Sequence, residues 1–184
     1  FSSRRRHTRF RNVTGVQTCA LPIYFFEQNV ELHQPISNDV FPNFVQVNLT
    51  ENHKLTEETT QVHNYIIKKI FDFKSKYYKF IDDRVFPNQH ALEQIKIKKY
   101  SNDGSDMFKT HVDVTDHESS RRYLAYLWYL NDVEVGGETK FQDLTIKPEM
   151  GKLIMFPPMW MFPHSGEPPI SGVKYIMSGY LHYK

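Results

Sequence analysis

The sequence is poor in cysteine and contains no long apolar stretch. Cys19 is the only cysteine among 184 residues, so the chain cannot form an internal disulfide, and a compartment that keeps thiols reduced is allowed. No uninterrupted apolar run approaches the roughly 18 residues that a membrane-spanning helix needs. We therefore expect a cytoplasmic protein without a membrane partner.

The composition is that of a folded, globular chain. Hydrophobic residues make up 40% of the sequence and aromatic residues 15%, which excludes the disordered and fibrous classes. The length fits one domain with a substantial core.

The first 23 residues differ in character from the rest. They lack an initiating methionine, and they hold five arginines and no acidic residue. Residues 1–23 resemble translated sequencing-adapter sequence, so we predict a non-native tail, followed by a single domain over residues 24–184. A secretory signal and a basic nucleic-acid-binding arm are the alternatives, but the apolar part of the tail is short and broken by Pro22. Without the tail the chain is mildly acidic, and we do not expect nucleic-acid binding.

Beyond the tail, helical and strand patterns occupy different parts of the sequence. Residues 24–49 combine apolar alternation with two prolines, which indicates short strands and turns. Apolar residues at helical spacing, preceded by Thr56 as a cap, predict a helix over about 56–80. From Ala91 onward, short alternating runs separated by turn signals predict strands. The order indicates an α+β fold with a β-barrel or jelly-roll core, a double-stranded β-helix of the cupin kind, and the N-terminal helix packed on one sheet.

The segment "FKTHVDV" contains a candidate metal site. Alternate residues of a strand share a face, so His111 and Asp113 are expected to point the same way. A third ligand must come from elsewhere, and the candidates are His117, His164 and His182. We favour His164, which follows a proline-rich run just after the strand "GKLIMF". Two imidazoles and one carboxylate suit iron(II) that activates oxygen, although zinc would also accept these ligands.

Several further motifs follow in order: Arg122, "YLND", "GGETKF", "KPEMGKLIMFPP", His164 and "GVKY". Together with "HVD", they resemble the iron(II) and 2-oxoglutarate dependent dioxygenases of the prolyl 4-hydroxylase type, from about Ile95 to the C-terminus. The resemblance implies that His111, Asp113 and His164 bind iron. It also implies that Lys174 pairs with the distal carboxylate of 2-oxoglutarate, and that Tyr100 hydrogen-bonds the same cosubstrate.

The implied activity is the hydroxylation of an unactivated C–H bond with oxidative decarboxylation of 2-oxoglutarate to succinate and CO2. Peptidyl proline is the family-level expectation for the substrate, and a peptide, a protein or a small molecule is compatible with the motifs. The cofactors are Fe(2+), 2-oxoglutarate and O2, with ascorbate as an accessory reductant. A jelly-roll module that binds metal or ligand without turnover is the alternative, and a zinc or iron hydrolase-like cupin is a third hypothesis. For Arg122 and Glu138 we expect structural roles in an ion pair and in a turn.

Overall fold

The computed structural model describes residues 9–12, 16–37 and 42–184. Three α-helices lie in the first half of the chain: α1 at Val16–Gln28, α2 at Leu49–Asn52 and α3 at Glu57–Ile81. Helix α3 confirms the predicted helix, and Thr56 caps it by accepting a hydrogen bond from the backbone N–H of Thr59 at 3.1 Å. Among the described residues, no helix combines the length and apolarity that crossing a membrane requires.

The prediction of strands and turns over residues 24–49 is wrong in its first part. Helix α1 extends to Gln28, and it buries Cys19, Phe25 and Phe26 against the main core. Tertiary packing of these aromatic side chains outweighs the local alternation. The boundary at residue 23 falls inside this helix, and residues 1–8 and 13–15 of the predicted tail lie outside the described residues. The non-native origin of the tail stays a prediction.

Twelve strands are present in the described part of the chain. They are β1 (Arg9–Asn12), β2 (Gln34–Ile36), β3 (Phe44–Asn48), β4 (His90–Leu92), β5 (Lys96–Tyr100), β6 (Phe108–His111), β7 (Arg122–Tyr129), β8 (Thr139–Phe141), β9 (Leu144–Ile146), β10 (Lys152–Phe156), β11 (His164–Gly166) and β12 (Lys174–Tyr183).

The strands form two antiparallel sheets. The larger sheet has the order β1-β10-β7-β12-β5-β3-β2, with β4 also paired to β12, and the smaller sheet has the order β6-β11-β8-β9. The predicted α+β jelly-roll core is confirmed, in the form of two sheets that do not close into a barrel.

Two hydrophobic cores lie on opposite faces of the larger sheet. Along β7, Leu124, Tyr126 and Trp128 belong to the core that includes α1 and α3. Ala125 and Tyr129 belong to the second core, which also contains residues of the smaller sheet. Because alternate side chains of β7 serve different cores, this central strand of the larger sheet is buried on both faces, as is its neighbour β10. The second core opens into the cavity that holds the predicted site residues.

Candidate active site

The two predicted histidine ligands lie opposite each other on neighbouring strands of the smaller sheet. His111 ends β6, His164 begins β11, and the two residues are direct partners in the antiparallel register. Their ring centroids are 4.3 Å apart. The sequence did not predict β11 as a strand, because its three residues follow a proline-rich loop and carry no alternation of their own.

Asp113 reaches the histidines by another route than the predicted one. Strand β6 ends at His111, so Asp113 lies beyond the strand and the expected shared strand face does not exist. The backbone N–H of Asp113 instead donates to the carbonyl of Pro158 at 3.1 Å, which ties this turn to the loop before His164. The carboxylate nevertheless lies 3.6 Å from Nε2 of His111 and 3.7 Å from Nε2 of His164.

The three side chains fit a divalent metal. One donor atom from each residue lies within 4.8 Å of the others. Three ligands at about 2.1 Å from one ion stand roughly 3.0–3.4 Å apart, so only small side-chain adjustments separate this arrangement from a bound state. Two nitrogens and one carboxylate oxygen form the donor set that non-haem iron(II) oxygenases use.

Both histidines are fixed in the tautomer that metal binding requires. Nδ1 of His111 donates to the carbonyl of Lys109 at 2.8 Å, and Nδ1 of His164 donates to the carbonyl of Phe162 at 3.2 Å. A carbonyl can only accept, so Nε2 of each ring carries the free lone pair. Phe108 stacks on His111 with ring centroids 3.5 Å apart, which holds that ring in place.

The electrostatics of the cluster favour an anionic Asp113 beside a neutral His164. Burial would raise the pKa of Asp113, but the neighbouring His111 and His164 rings and the hydrogen bond from Tyr180 together lower it. Burial lowers the pKa of His164 to about 4, with the neighbouring His111 acting in the same direction and Asp113 opposing it. At neutral pH the site therefore presents one carboxylate and an unprotonated His164 to a cation.

Two residues outside the triad hold Asp113. The Tyr180 hydroxyl donates to Oδ1 of Asp113 at 2.7 Å, a contact that the sequence analysis missed. Tyr180 and Lys174 are six residues apart on β12, so their side chains lie on the same face of the strand. That spacing was the only feature of the sequence that could have indicated a role for Tyr180. Arg122 donates from Nη1 to the Asp113 carbonyl at 3.1 Å and forms a two-point ion pair with Glu93 at 2.9 and 3.0 Å. The expected structural ion pair of Arg122 is thus present.

Lys174 is almost fully buried, with 2% of its surface exposed. Its Nζ donates to the carbonyls of Gly137 at 3.1 Å and Glu167 at 3.3 Å and lies 4.3 Å from the Tyr100 ring centroid. Lys174 and Tyr100 are register partners on β12 and β5. Within the described ranges, no carboxylate forms an ion pair with this ammonium. Burial lowers the pKa of Lys174 to about 7, against the attraction of Glu138 and Glu167.

The "GGET" turn shapes the floor beside Lys174. Gly137 has a positive φ of 74°, and a Cβ at this position would lie 3.3 Å from Cδ of Lys174. Its carbonyl is one of the two that accept from the ammonium. The backbone carbonyl of Glu138 accepts from the N–H of Glu167 at 2.8 Å, which is the turn contact expected for Glu138.

One cavity between the two sheets contains all five predicted site residues, which are His111, Asp113, His164, Lys174 and Tyr100. The alternative ligands lie elsewhere. His117 is exposed in the turn after the site, and Nδ1 of His182 is hydrogen-bonded to the carbonyl of Tyr183 in an exposed position. Two sheets, a two-histidine and one-carboxylate cluster and a buried lysine across the cavity define the class of metal-dependent oxygenases with a double-stranded β-helix.

Comparison with known proteins agrees with this class. Residues 95–182, close to half of the chain, match the family model described as the 2OG-Fe(II) oxygenase superfamily. The match includes every predicted site residue, so residues 95–182 carry an oxygenase domain of the iron(II) and 2-oxoglutarate dependent kind. No relative was found among curated protein sequences.

Three solved structures with a similar fold are prolyl hydroxylases. A viral collagen prolyl hydroxylase from Paramecium Bursaria Chlorella virus-1, solved as a 2OG complex, has a TM-score of 0.71 and 19% identity, covering 97% of each chain. A Pseudomonas putida prolyl-4-hydroxylase has a TM-score of 0.69 and 14% identity, covering 97% of this chain and 93% of that one. A Trichoplax adhaerens prolyl hydroxylase, in complex with a hypoxia inducible factor peptide fragment, has a TM-score of 0.73 and 13% identity, covering 96% of this chain and 84% of that one.

Proposed function

We propose that this oxygenase hydroxylates a prolyl side chain in a peptide or protein, with oxidative decarboxylation of 2-oxoglutarate to succinate and CO2. The observation that carries the proposal is that one cavity holds both the His111, Asp113 and His164 cluster and a buried lysine, Lys174. Among the residues that the structure describes, no carboxylate forms an ion pair with this lysine. The choice of a peptidyl substrate is supported by the Trichoplax adhaerens enzyme, which was solved with a peptide.

In this proposal the triad binds Fe(2+) through Nε2 of His111, Nε2 of His164 and the Asp113 carboxylate. Three protein ligands leave coordination positions open, and the bound metal with 2-oxoglutarate and O2 supplies the oxidising chemistry. The chain supplies the geometry. The carbonyls of Lys109 and Phe162 hold the imidazoles in the required tautomer, and Tyr180 holds the aspartate.

Lys174 and Tyr100 bind the cosubstrate in this proposal. The Lys174 ammonium pairs with the distal carboxylate of 2-oxoglutarate, and that carboxylate compensates a charge that burial otherwise makes costly. Tyr100 is buried beside the ammonium and lines the same cavity, where its hydroxyl serves as a hydrogen-bond donor to the cosubstrate. Ascorbate would act only as a reductant from solution, for which the chain needs no dedicated site.

The direct test measures succinate formed from 2-oxoglutarate, with and without Fe(2+), alongside a panel of proline-containing peptides read by the mass gain of one oxygen atom. We expect iron-dependent succinate formation that proline peptides stimulate, and an oxidised product on the prolyl residue. Asp113→Asn serves as the matched inactive control, because it keeps the shape of the side chain and removes the charge.

The outcomes separate the hypotheses. Iron-dependent succinate formation with oxidation of a residue other than proline would overturn the substrate proposal and leave the oxygenase activity. A protein that binds metal and 2-oxoglutarate but forms no succinate would instead be the non-catalytic binding module.

A further inference from the structure

A second depression adjoins the predicted metal site and contains two lysines, Lys96 and Lys98. This outer groove has a volume of about 580 Å³ and is lined by β3, β4, β5, β7 and β12. It shares Lys98, Phe108, Ser178 and Tyr180 with the cavity that holds the triad. A molecule in the outer groove therefore has access to the metal through a common wall.

The face of β5 that borders the two depressions carries three consecutive inward positions. Tyr100, Lys98 and Lys96 alternate with Ile97 and Lys99, which face the other side of the sheet. In the register with β12, Tyr100 is opposite Lys174, Lys98 is opposite Ile176 and Lys96 is opposite Ser178. The row thus leads from the buried Lys174 towards the outer groove.

Neither of the two groove lysines is neutralised by the protein. In the described ranges, the ammonium groups of Lys96 and Lys98 form no ion pair and donate no hydrogen bond. The other groove cation, Arg122, has a two-point pair with Glu93. The Lys98 ammonium lies over the rings of Phe44 at 4.9 Å and Phe108 at 6.0 Å. Burial lowers the pKa of Lys98 to about 8, with Lys96 and Arg122 acting in the same direction and Asp113 opposing them.

The excess of positive charge at Lys96 and Lys98 remains when metal and 2-oxoglutarate are bound, a step that rests on the proposed function. A divalent metal, the Asp113 carboxylate, the two carboxylates of 2-oxoglutarate and the Lys174 ammonium cancel one another. Lys98 remains as an uncompensated, half-buried cation beside the reacting centre, with Lys96 behind it. A buried cation without a partner is costly, and a bound anion removes that cost.

We infer that Lys96 and Lys98 form an anion-binding site for a carboxylate of the substrate, placed next to the residue that is hydroxylated. A carboxylate between two ammonium groups gains charge-assisted hydrogen bonds in a partly dry groove. The outer groove continues past the metal site to Glu93 and Leu92, which gives room for several residues on one side of the target. An acidic side chain in a peptide is therefore the source that we favour, and the terminal carboxylate of a free amino acid is the other source of the same chemistry.

The test uses peptide pairs that differ only in charge. Acetylated and amidated pentapeptides carry one proline with glutamate or glutamine directly before it, and a second pair carries the same exchange directly after it. Free proline and prolinamide form the third pair. Binding constants are measured by calorimetry without oxygen, on protein loaded with Mn(2+) and 2-oxoglutarate, and kcat/KM is measured separately with Fe(2+) and O2.

We expect the glutamate member of at least one peptide pair to bind about tenfold more tightly than its glutamine partner, as for other hydrogen bonds to a charged group. Added salt should reduce this ratio, because it screens the attraction. In Lys98→Met the ratio should fall to about one, and in Lys96→Met it should fall in part. Lys99→Met is the matched control, since Lys99 lies on the opposite face and pairs with Glu27 at 2.8 Å.

The ratio of the two binding constants, glutamate peptide over glutamine peptide, is measured within one protein and does not depend on the fraction of active molecules. A poorly folding variant therefore still gives an answer. Lys98→Gln provides a second variant. A preference for free proline over prolinamide that Lys98→Met abolishes would support the anion site and overturn the peptidyl substrate. Equal binding of all charged and neutral partners by the parent protein would overturn the anion site. If the peptides are also hydroxylated equally, the proposed function survives that failure. Absence of oxidised proline despite a charge preference would overturn the proposed function alone.

Discussion

Replacement of Lys174 by methionine should raise the free energy of unfolding of the protein without metal and 2-oxoglutarate. The same replacement should remove binding of the cosubstrate. The side chain is 2% exposed, and burial lowers its pKa from the usual 10.5 to about 7. That difference corresponds to about 5 kcal/mol of cost for the charged form in the folded state, which is a ceiling for the gain. Methionine keeps a similar volume but leaves the carbonyls of Gly137 and Glu167 without their donor, so we expect a net gain of about 1–3 kcal/mol.

The stability difference between Lys174→Met and the parent should depend on pH. Below pH 7 Lys174 is charged in both states, and the folded protein bears the full cost. Between about 7 and 10.5 the unfolded chain keeps the proton that the folded chain has lost, so the parent gains stability as pH rises. The advantage of Lys174→Met should therefore be largest near pH 6 and should disappear towards pH 10.5.

The assay is thermal unfolding of the metal-free protein at pH 6, 8 and 9.5, with Lys68→Met as the control for an exposed helical lysine. A gain of 1–3 kcal/mol corresponds to about 2–10 °C in Tm for a chain of this size. With Mn(2+) and 2-oxoglutarate at about a hundred times its Kd, the parent should gain about 2.7 kcal/mol and the variant much less. A variant no more stable than Lys68→Met at pH 6, or stabilised by 2-oxoglutarate like the parent, would refute the reasoning.

Three further predictions concern the metal and the floor of the site. Asp113→Ala should abolish tight Co(2+) binding, measured by visible absorption, because it removes the only carboxylate of the triad. Tyr180→Phe should weaken Co(2+) binding by about tenfold, with Tm nearly unchanged, since it deletes one hydrogen bond to a ligand; unchanged affinity would contradict a positioning role. Gly137→Ala and Gly104→Ala should each cost about 1–2 kcal/mol for a positive φ, but only Gly137→Ala should also raise the KM for 2-oxoglutarate, because Gly104 has open space around it.

The elements with strong periodicity were predictable from sequence. Helix α3 and strands β5, β7, β10 and β12 follow their apolar patterns. Helical spacing and strand alternation can each be read from a single chain segment, without knowledge of what that segment packs against. Helix α1 was missed because its aromatic residues are helical only in contact with the core that α3 and the larger sheet provide. Strand β11 was missed because three residues are too few for a period.

The site shows the same division. His111, Asp113, His164 and Lys174 were predicted from their order and spacing and lie in one cavity, although the reason given for Asp113 was wrong. The aspartate lies past the end of β6, where a bond to the Pro158 carbonyl positions it, and no pattern within "HVD" encodes that contact. Tyr180 and Lys98 were missed for a related reason. Tyr180 is important because it contacts Asp113, which is distant in sequence, and Lys98 because no described carboxylate forms an ion pair with it. Only the pairing of the strands shows which side chains share a cavity.

The arrangement of the two sheets explains why one small cavity can serve metal, cosubstrate and substrate together. The histidines belong to the smaller sheet, whereas Lys174 and Lys98 belong to the larger one, so the reacting centre lies between layers that stand about 10 Å apart. The larger sheet contributes two lysines, Lys98 and Lys174, to the lining of this cavity, together with tyrosine and smaller side chains. Phe156, on the larger sheet, packs against His164 of the smaller sheet with ring centroids 4.8 Å apart. In the proposed function, these lysines would therefore order anionic ligands along β5 and β12, with Lys174 deepest and Lys96 nearest the outer groove.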